Sequence, residues 1–582
     1  MSAGWTLLGG AASSVVAQPA STEPLARPPA ETRFFPLSEV RRGQRGVAYT
    51  VFEGVVPEPM EVEILGVLKD SLGPGRDMIL ARLHGTKPEY TGVVAGMSGS
   101  PVYIDGRLVG ALSFRIGQFS KEPIAGITPI GEMLDVRDGQ EQAQSSKVTM
   151  SGQSQSQAQM QAIETPLIFS GFSQETVDRF GERFRALGLT PVAGLGGSEE
   201  TAKQPEPLIP GSAVSAILVR GDLAMAGTCT VTYVDPGRLL ACGHPITQNG
   251  PVSMPMTKAT VVATLASPLN AFKIVNTTET VGSFTEDRAS AILGRFGVAA
   301  RMIPVVVEVA DGRKNQTFRF EVLNDRQLTP STMLVSVYQA LQGTNAAAAQ
   351  QSYLLTGTLN VAGQQPITLH GIMAPNGFNA GAINAALYVN DRFSKIYENA
   401  GEQPMVTGLS LRFEVKPERK TALLDSARIS RMEVHAGETI EVEAVLEPYQ
   451  AATRVMRIPV TIPATLTAGV VRLVVSDGAT LDRLVSPSGV AASHDEGLTD
   501  TVAGMNRAHA NDGIYVALLE HTAQAVLATG PLPDLPLSMA NVLEPLKETQ
   551  QMQLSGESVI KVGSVSTDYA VTGSHVLTLT IR

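Results

Sequence analysis

The chain has 582 residues, 43% of them hydrophobic, and a formal net charge of −10; it is too long for one core and apolar enough to fold throughout, so about three to five domains are expected. The acidic balance and the lack of any lysine/arginine run argue against a nucleic-acid surface, which needs a clustered basic face. With 55 glycines, 36 prolines and 5% aromatics, the composition suits many short strands joined by tight turns, a mainly β fold.

Residues 1–20 have the apolar centre and small-residue end of a signal peptide, with Val15-x-Ala17 as a cleavage site but no basic start. Export to the periplasm or cell envelope is the expectation. No later stretch reaches the roughly 18 consecutive apolar residues of a membrane span, so at most a peripheral envelope association is expected. Residues 34–137 alternate apolar strands with glycine and charged turns, the pattern of a small barrel. Residues 138–165 are rich in Gln and Ser and read as a flexible linker.

Residues 166–302 form a second β unit that opens on a helix over Ser173 to Leu189, with Ser173 as N-cap and Val177, Phe180, Phe184 and Leu187 on one face. Strands follow at Ala226 to Val234 and Arg238 to Cys242, joined by Pro236-Gly237 in a type II turn. An unbroken register places Cys242 across from Val231, so Cys229 and Cys242 are near neighbours on a diagonal, and both a disulfide and two free thiols fit. Residues 303–425 read as β-rich with one short helix from Ser331 to Leu341. Residues 426–490 alternate as in an immunoglobulin-like sandwich, and 491–582 as a C-terminal α+β segment.

Chemistry concentrates in two places. In Gly96-Met97-Ser98-Gly99-Ser100-Pro101, the glycines permit a sharp turn that exposes the Ser98 hydroxyl and aims the Gly96 and Ser98 amides at one point, as an oxyanion hole requires. The same residues also fit a plain turn between strands. Of eight histidines, His244 alone ends an apolar strand between a glycine and a proline, which suits a general base and also a buried structural histidine. No dinucleotide fingerprint, phosphate loop or zinc motif occurs, so no cofactor and no metal are expected.

The serine block, continued by Asp105-Gly106-Arg107-Leu108-Val109-Gly110-Ala111, and the block Gly227-Thr228-Cys229-Thr230-Val231-Thr232-Tyr233-Val234-Asp235-Pro236 leading to Gly243-His244 resemble the two signature blocks of the SpoIVB-type serine peptidases. That resemblance implies two chymotrypsin-like barrels, Ser98 as nucleophile, His244 as base, and a protein or peptide substrate. The blocks stand here in reversed chain order, and His84 falls where the family carries its aspartate. Asp287, later in the same β half as His244, is the substitute for the acid, although an ordinary Asp-Arg surface pair explains it equally well. A non-catalytic envelope scaffold or binding protein on the same β core is the alternative function.

Overall fold

The computed structural model describes residues 27–582 except 30, 117–121, 138–159, 195–196, 199–201, 248–249, 268–270, 313–314, 343–349, 399–403, 486–496, 528–529 and 548–551. The expected signal peptide and most of the expected linker therefore lie outside the described residues.

The protein is mainly β. Its first unit contains β1 (Arg45–Thr50), β2 (Glu58–Leu68), β3 (Met78–His84), β4 (Pro101–Ile104), β5 (Arg107–Ile116) and β6 (Ile124–Pro129). Paired in the order β5-β4-β1-β2-β3-β6, with β6 returning to β5, they close a ring. Alternation along β2 and β3 sends Met60, Val62, Ile64, Ile79, Ala81 and Leu83 inward, all nearly inaccessible, as a filled small barrel demands.

Two further strands, β7 (Met160–Ala162) and β8 (Thr165–Ser170), lead into the second unit. The end of the Gln/Ser-rich stretch is thus strand, because β7 pairs with the free edge of β5. The capped helix follows at Gln174–Arg185, with Ser173 Oγ accepting from Thr176 N. Strands β9 (Ala213–Gly221), β10 (Ala224–Asp235), β11 (Arg238–Ala241), β12 (Gly250–Leu265), β13 (Phe272–Arg288) and β14 (Ala291–Phe296) form a second ring, β10-β11-β14-β13-β12-β9, closed by pairing of β9 with β10.

The rings share cores. One cluster joins Tyr49, Tyr103 and Leu108 to Leu240, Ala291 and Leu293, and another joins Val51 to Ala213, Val261 and Val275. Burial of this kind, at roughly 25 cal/mol per Å² of apolar area, holds together two units that are separated by a long stretch of chain.

The second sheet continues outward from β9 through the strands Asn315–Leu323, Met302–Ala310, Val406–Lys416, Ser352–Val361 and Ile367–Met373. Two helices, Leu328–Gln342 and Gly381–Glu398, pack into its core, where a single short helix was expected. The C-terminal sandwich is also larger than its sequence pattern suggests. Its four-stranded sheet joins Thr421–Ile429, Thr439–Pro448 and Arg454–Thr461 to Ala570–Thr572, and its five-stranded sheet joins Gly469–Asp477 to Glu433–Val434, Gly513–Glu520, Ser558–Ser566 and Ser574–Ile581. Strands beyond residue 490 thus complete the sandwich, and a further three-stranded sheet, Gly530–Leu535, Ala523–Leu527 and Gln553–Ser555, forms in the same stretch. Among the described residues no helix is long and apolar enough to cross a membrane.

Candidate functional site

The serine loop lies where the two rings meet. Gly96 and Gly99 have φ of +94° and +93°, a region that residues with a Cβ resist. Contact adds a second constraint at Gly99: a Cβ there would stand 2.0 Å from Thr230 O and 2.5 Å from Cys242 N. The absence of a side chain is what lets the loop lie on β10. Thr230 N donates to Ser98 O at 2.8 Å, Thr232 Oγ1 to Gly99 O at 2.7 Å and Thr230 Oγ1 to Gly96 O at 2.9 Å. Ser98 is wholly buried, and among the described residues its Oγ has no hydrogen-bond partner.

The two amides expected to form the oxyanion hole differ. Among the described residues the Ser98 amide meets no backbone acceptor, whereas the Gly96 amide donates to Glu164 O at 3.3 Å.

His244 is brought to this loop by a bulge. Strands β10 and β11 pair Asp235 with Arg238 and Tyr233 with Leu240, then shift so that Val231 faces Ala241. The extra residue puts Cys242 against Thr230, its N donating to Thr230 O at 3.2 Å, one position away from the unbroken register. Cys229 and Cys242 then form a disulfide, with Cα atoms 5.2 Å apart. The turn continues through Cys242 and Gly243 at φ +67° and +71°. Gly243 is pressed against the first ring, where a Cβ would lie 2.1 Å from Ser113 Oγ, and its carbonyl accepts from Thr128 Oγ1 at 2.7 Å.

The imidazole is 3% exposed, and its Nδ1 lies 2.8 Å from Pro245 O. A carbonyl only accepts, so Nδ1 carries the proton and Nε2 the lone pair. Burial pushes the His244 pKa below the usual imidazole range, against the opposing pull of the Pro245 and Ile163 carbonyls, so the ring is neutral. Among the described residues Nε2 has no hydrogen-bond partner, and hence is not bonded to Ser98 Oγ in this state. Compared with protein-family models, with curated proteins and with solved structures, the chain matches none.

Asp287 stands close by in another role than that expected. Its carboxylate accepts Ile246 N at 2.9 Å, Thr247 N at 2.5 Å and Thr247 Oγ1 at 2.7 Å, which fixes the turn just after His244. The imidazole Nδ1 goes to the Pro245 carbonyl, so a backbone oxygen holds the tautomer that a triad assigns to a carboxylate. Nor is Asp287 a surface residue: it is fully buried, and Arg288 pairs with Glu286 at 2.7 Å. His84 lies on β3 against Glu63 at 3.1 Å.

Two features escaped the sequence reading. Lys273, on β13, is fully buried with its stem across Gly96, where a Cβ would meet Cδ at 3.3 Å. Its amine donates to Thr50 Oγ1 at 2.6 Å, and desolvation brings its pKa down to about 7. The signal was a lysine inside the apolar run Ala271-Phe272-Lys273-Ile274-Val275. The other feature is the path of residues 160–164 across the loop, hidden by the composition of the stretch before it.

Proposed function

We propose that this chain is an exported serine endopeptidase in which Ser98 is the nucleophile and His244 the general base. The observation that carries this reading is the pair of buried atoms Ser98 Oγ and His244 Nε2, which have no hydrogen-bond partner among the described residues, set in loops that touch through glycine-only contacts. Unsatisfied buried polar atoms are costly and rare, and each one in a native protein calls for a reason. In the proposed chemistry Nε2 takes the Ser98 proton as Oγ attacks a peptide carbonyl carbon. The carbonyl oxygen becomes an oxyanion facing the Ser98 and Gly96 amides. Collapse breaks the C–N bond, Nε2–H protonates the leaving amine, and water then hydrolyses the acyl ester by the same path.

The lone pair on Nε2 and the neutral ring support the base role. The resemblance to SpoIVB-type peptidases points the same way. The Cys229–Cys242 disulfide is suited to an oxidising compartment, in keeping with export.

The competing reading, a non-catalytic scaffold or binding protein, draws on the full burial of Ser98 and on the absence of a Ser98–His244 hydrogen bond. A fluorophosphonate probe separates the two, because it reports an activated serine without needing the substrate. A peptidase acquires one covalent adduct on the peptide containing Ser98, and Ser98→Ala acquires none; a scaffold stays unlabelled under both conditions.

A further inference from the structure

Strand β5 changes neighbours halfway along. Up to Ala111 it pairs with β4, and beyond that point the same edge is taken by β7, with Phe114 opposite Ala162, Arg115 opposite Gln161 and Ile116 opposite Met160. The added segment continues past the end of β7 to the serine loop. Ile163 N donates to Ser113 O at 2.8 Å, and Gly96 N donates to Glu164 O at 3.3 Å. The Ile163 side chain is fully buried in the cluster that contains Val94 and Met97. Glu164 pairs with Arg115 Nη2 at 2.6 Å, an arginine whose side chain is 8% exposed and whose Nε has no partner among the described residues.

We infer that the edge of β5 beside Ser98 is a docking strand for an extended peptide bearing an aliphatic residue followed by an acidic one, and that residues 160–164 are its resident occupant. The substrate class rests on the reading of Ser98 as a nucleophile; the docking edge does not. Main-chain bonds to a sheet edge bind any extended chain, and selectivity comes from alternate side chains. Here the selective sites are the apolar cluster that takes Ile163 and the buried Arg115 guanidinium, which a carboxylate satisfies and an amide satisfies poorly.

The resident segment blocks the site and is not presented for cleavage. The carbonyl at the Gly96 amide belongs to Glu164, and among the described residues the Ser98 amide meets no backbone acceptor. A substrate has to displace 160–164 to reach Ser98.

The test uses the full chain carrying Ser98→Ala, with and without Ile163→Asp to expel the resident strand, and a fluorescein-labelled peptide Met-Gln-Ala-Ile-Glu-Thr. Glu164→Lys, at a partly exposed position where its charge opposes Arg115, serves as a second opened variant should the first misfold. The opened chains bind the peptide at least about tenfold more tightly than the chain with its own segment in place. Exchanging Glu for Gln in the peptide weakens binding about tenfold, the size of a charge-assisted bond, and this penalty disappears with Arg115→Met. Equal binding to opened and native chains, or no discrimination between Glu and Gln, overturns the inference. In chains that keep Ser98, Ile163→Asp speeds fluorophosphonate labelling at least about tenfold. Peptide binding with no labelling in any variant leaves the docking edge standing and overturns the nucleophile reading of Ser98.

Discussion

Lys273→Met tests the electrostatics beneath the serine loop. The amine is fully buried, its pKa falls from 10.5 to about 7, and its hydrogen bond is to the neutral Thr50 hydroxyl. At about 1.36 kcal/mol per unit, the lowering sets an upper figure of roughly 5 kcal/mol for the cost of housing this lysine at neutral pH. Methionine is close in volume, removes that cost, and forfeits the Thr50 bond at about 1 kcal/mol. The variant is therefore expected to be more stable by about 2–4 kcal/mol at neutral pH.

The pH dependence gives the sharper check. Between about pH 7 and about pH 10.5 the unfolded chain binds the lysine proton and the folded chain does not, so wild-type stability rises with pH across that window. The advantage of Lys273→Met shrinks over the same window and vanishes near its upper end. Urea unfolding followed by circular dichroism, comparing wild type and variant from about pH 7 to about pH 10, measures the difference while other titrations cancel. A stability difference that is flat with pH, or a destabilised variant at neutral pH, refutes the reasoning.

Gly99→Ala drives a Cβ to 2.0 Å from Thr230 O at a φ of +93° and is expected to lower stability by at least about 3 kcal/mol, read as a fall in melting temperature with loss of Ser98 labelling. Asp287→Asn sets an amide N–H₂ against the Thr247 donors; we expect a loss of about 1–3 kcal/mol in urea, with labelling per folded molecule within about tenfold of wild type, where an acid bound to the imidazole would cost two to four orders of magnitude. Replacing both cysteines by serine removes a bridge of sequence separation 13 and costs about 3 kcal/mol, so the wild type under reductant melts together with the double variant.

How far the sequence discloses this architecture depends on how local the signal is. The serine loop is legible because Gly96 and Gly99 are demanded by backbone angle and by contact with Thr230 and Cys242, and such glycines leave a pattern in a few residues. The capped helix at Gln174–Arg185 is legible for the same reason. The meeting of β10 with β11 is not, since the bulge that brings Cys242 against Thr230 has no composition of its own. Asp287 is visible as an acid near His244, but which donors it takes depends on the turn at Ile246 and Thr247.

Non-local pairing hides more. The strands between 421 and 477 find partners between 513 and 581, so their alternation reveals a sandwich without its second half. Helix Gly381–Glu398 takes its form from burying Ala385, Ala386, Val389 and Phe393, and its polar residues obscure that stripe. Strand β7 follows a Gln/Ser-rich run, and only the open edge of β5 gives it a place.

The most direct test of the central claim is the pH dependence of fluorophosphonate labelling at Ser98, in the wild type and in Ile163→Asp, each with and without His244→Gln. A single adduct on Ser98 is expected, with a rate that rises as His244 loses its proton. That rise falls below the usual imidazole range because burial lowers the His244 pKa. With His244→Gln the rate drops by at least about a hundredfold and the pH step disappears. Labelling that is absent even from the opened chain, or that proceeds unchanged without His244, contradicts it.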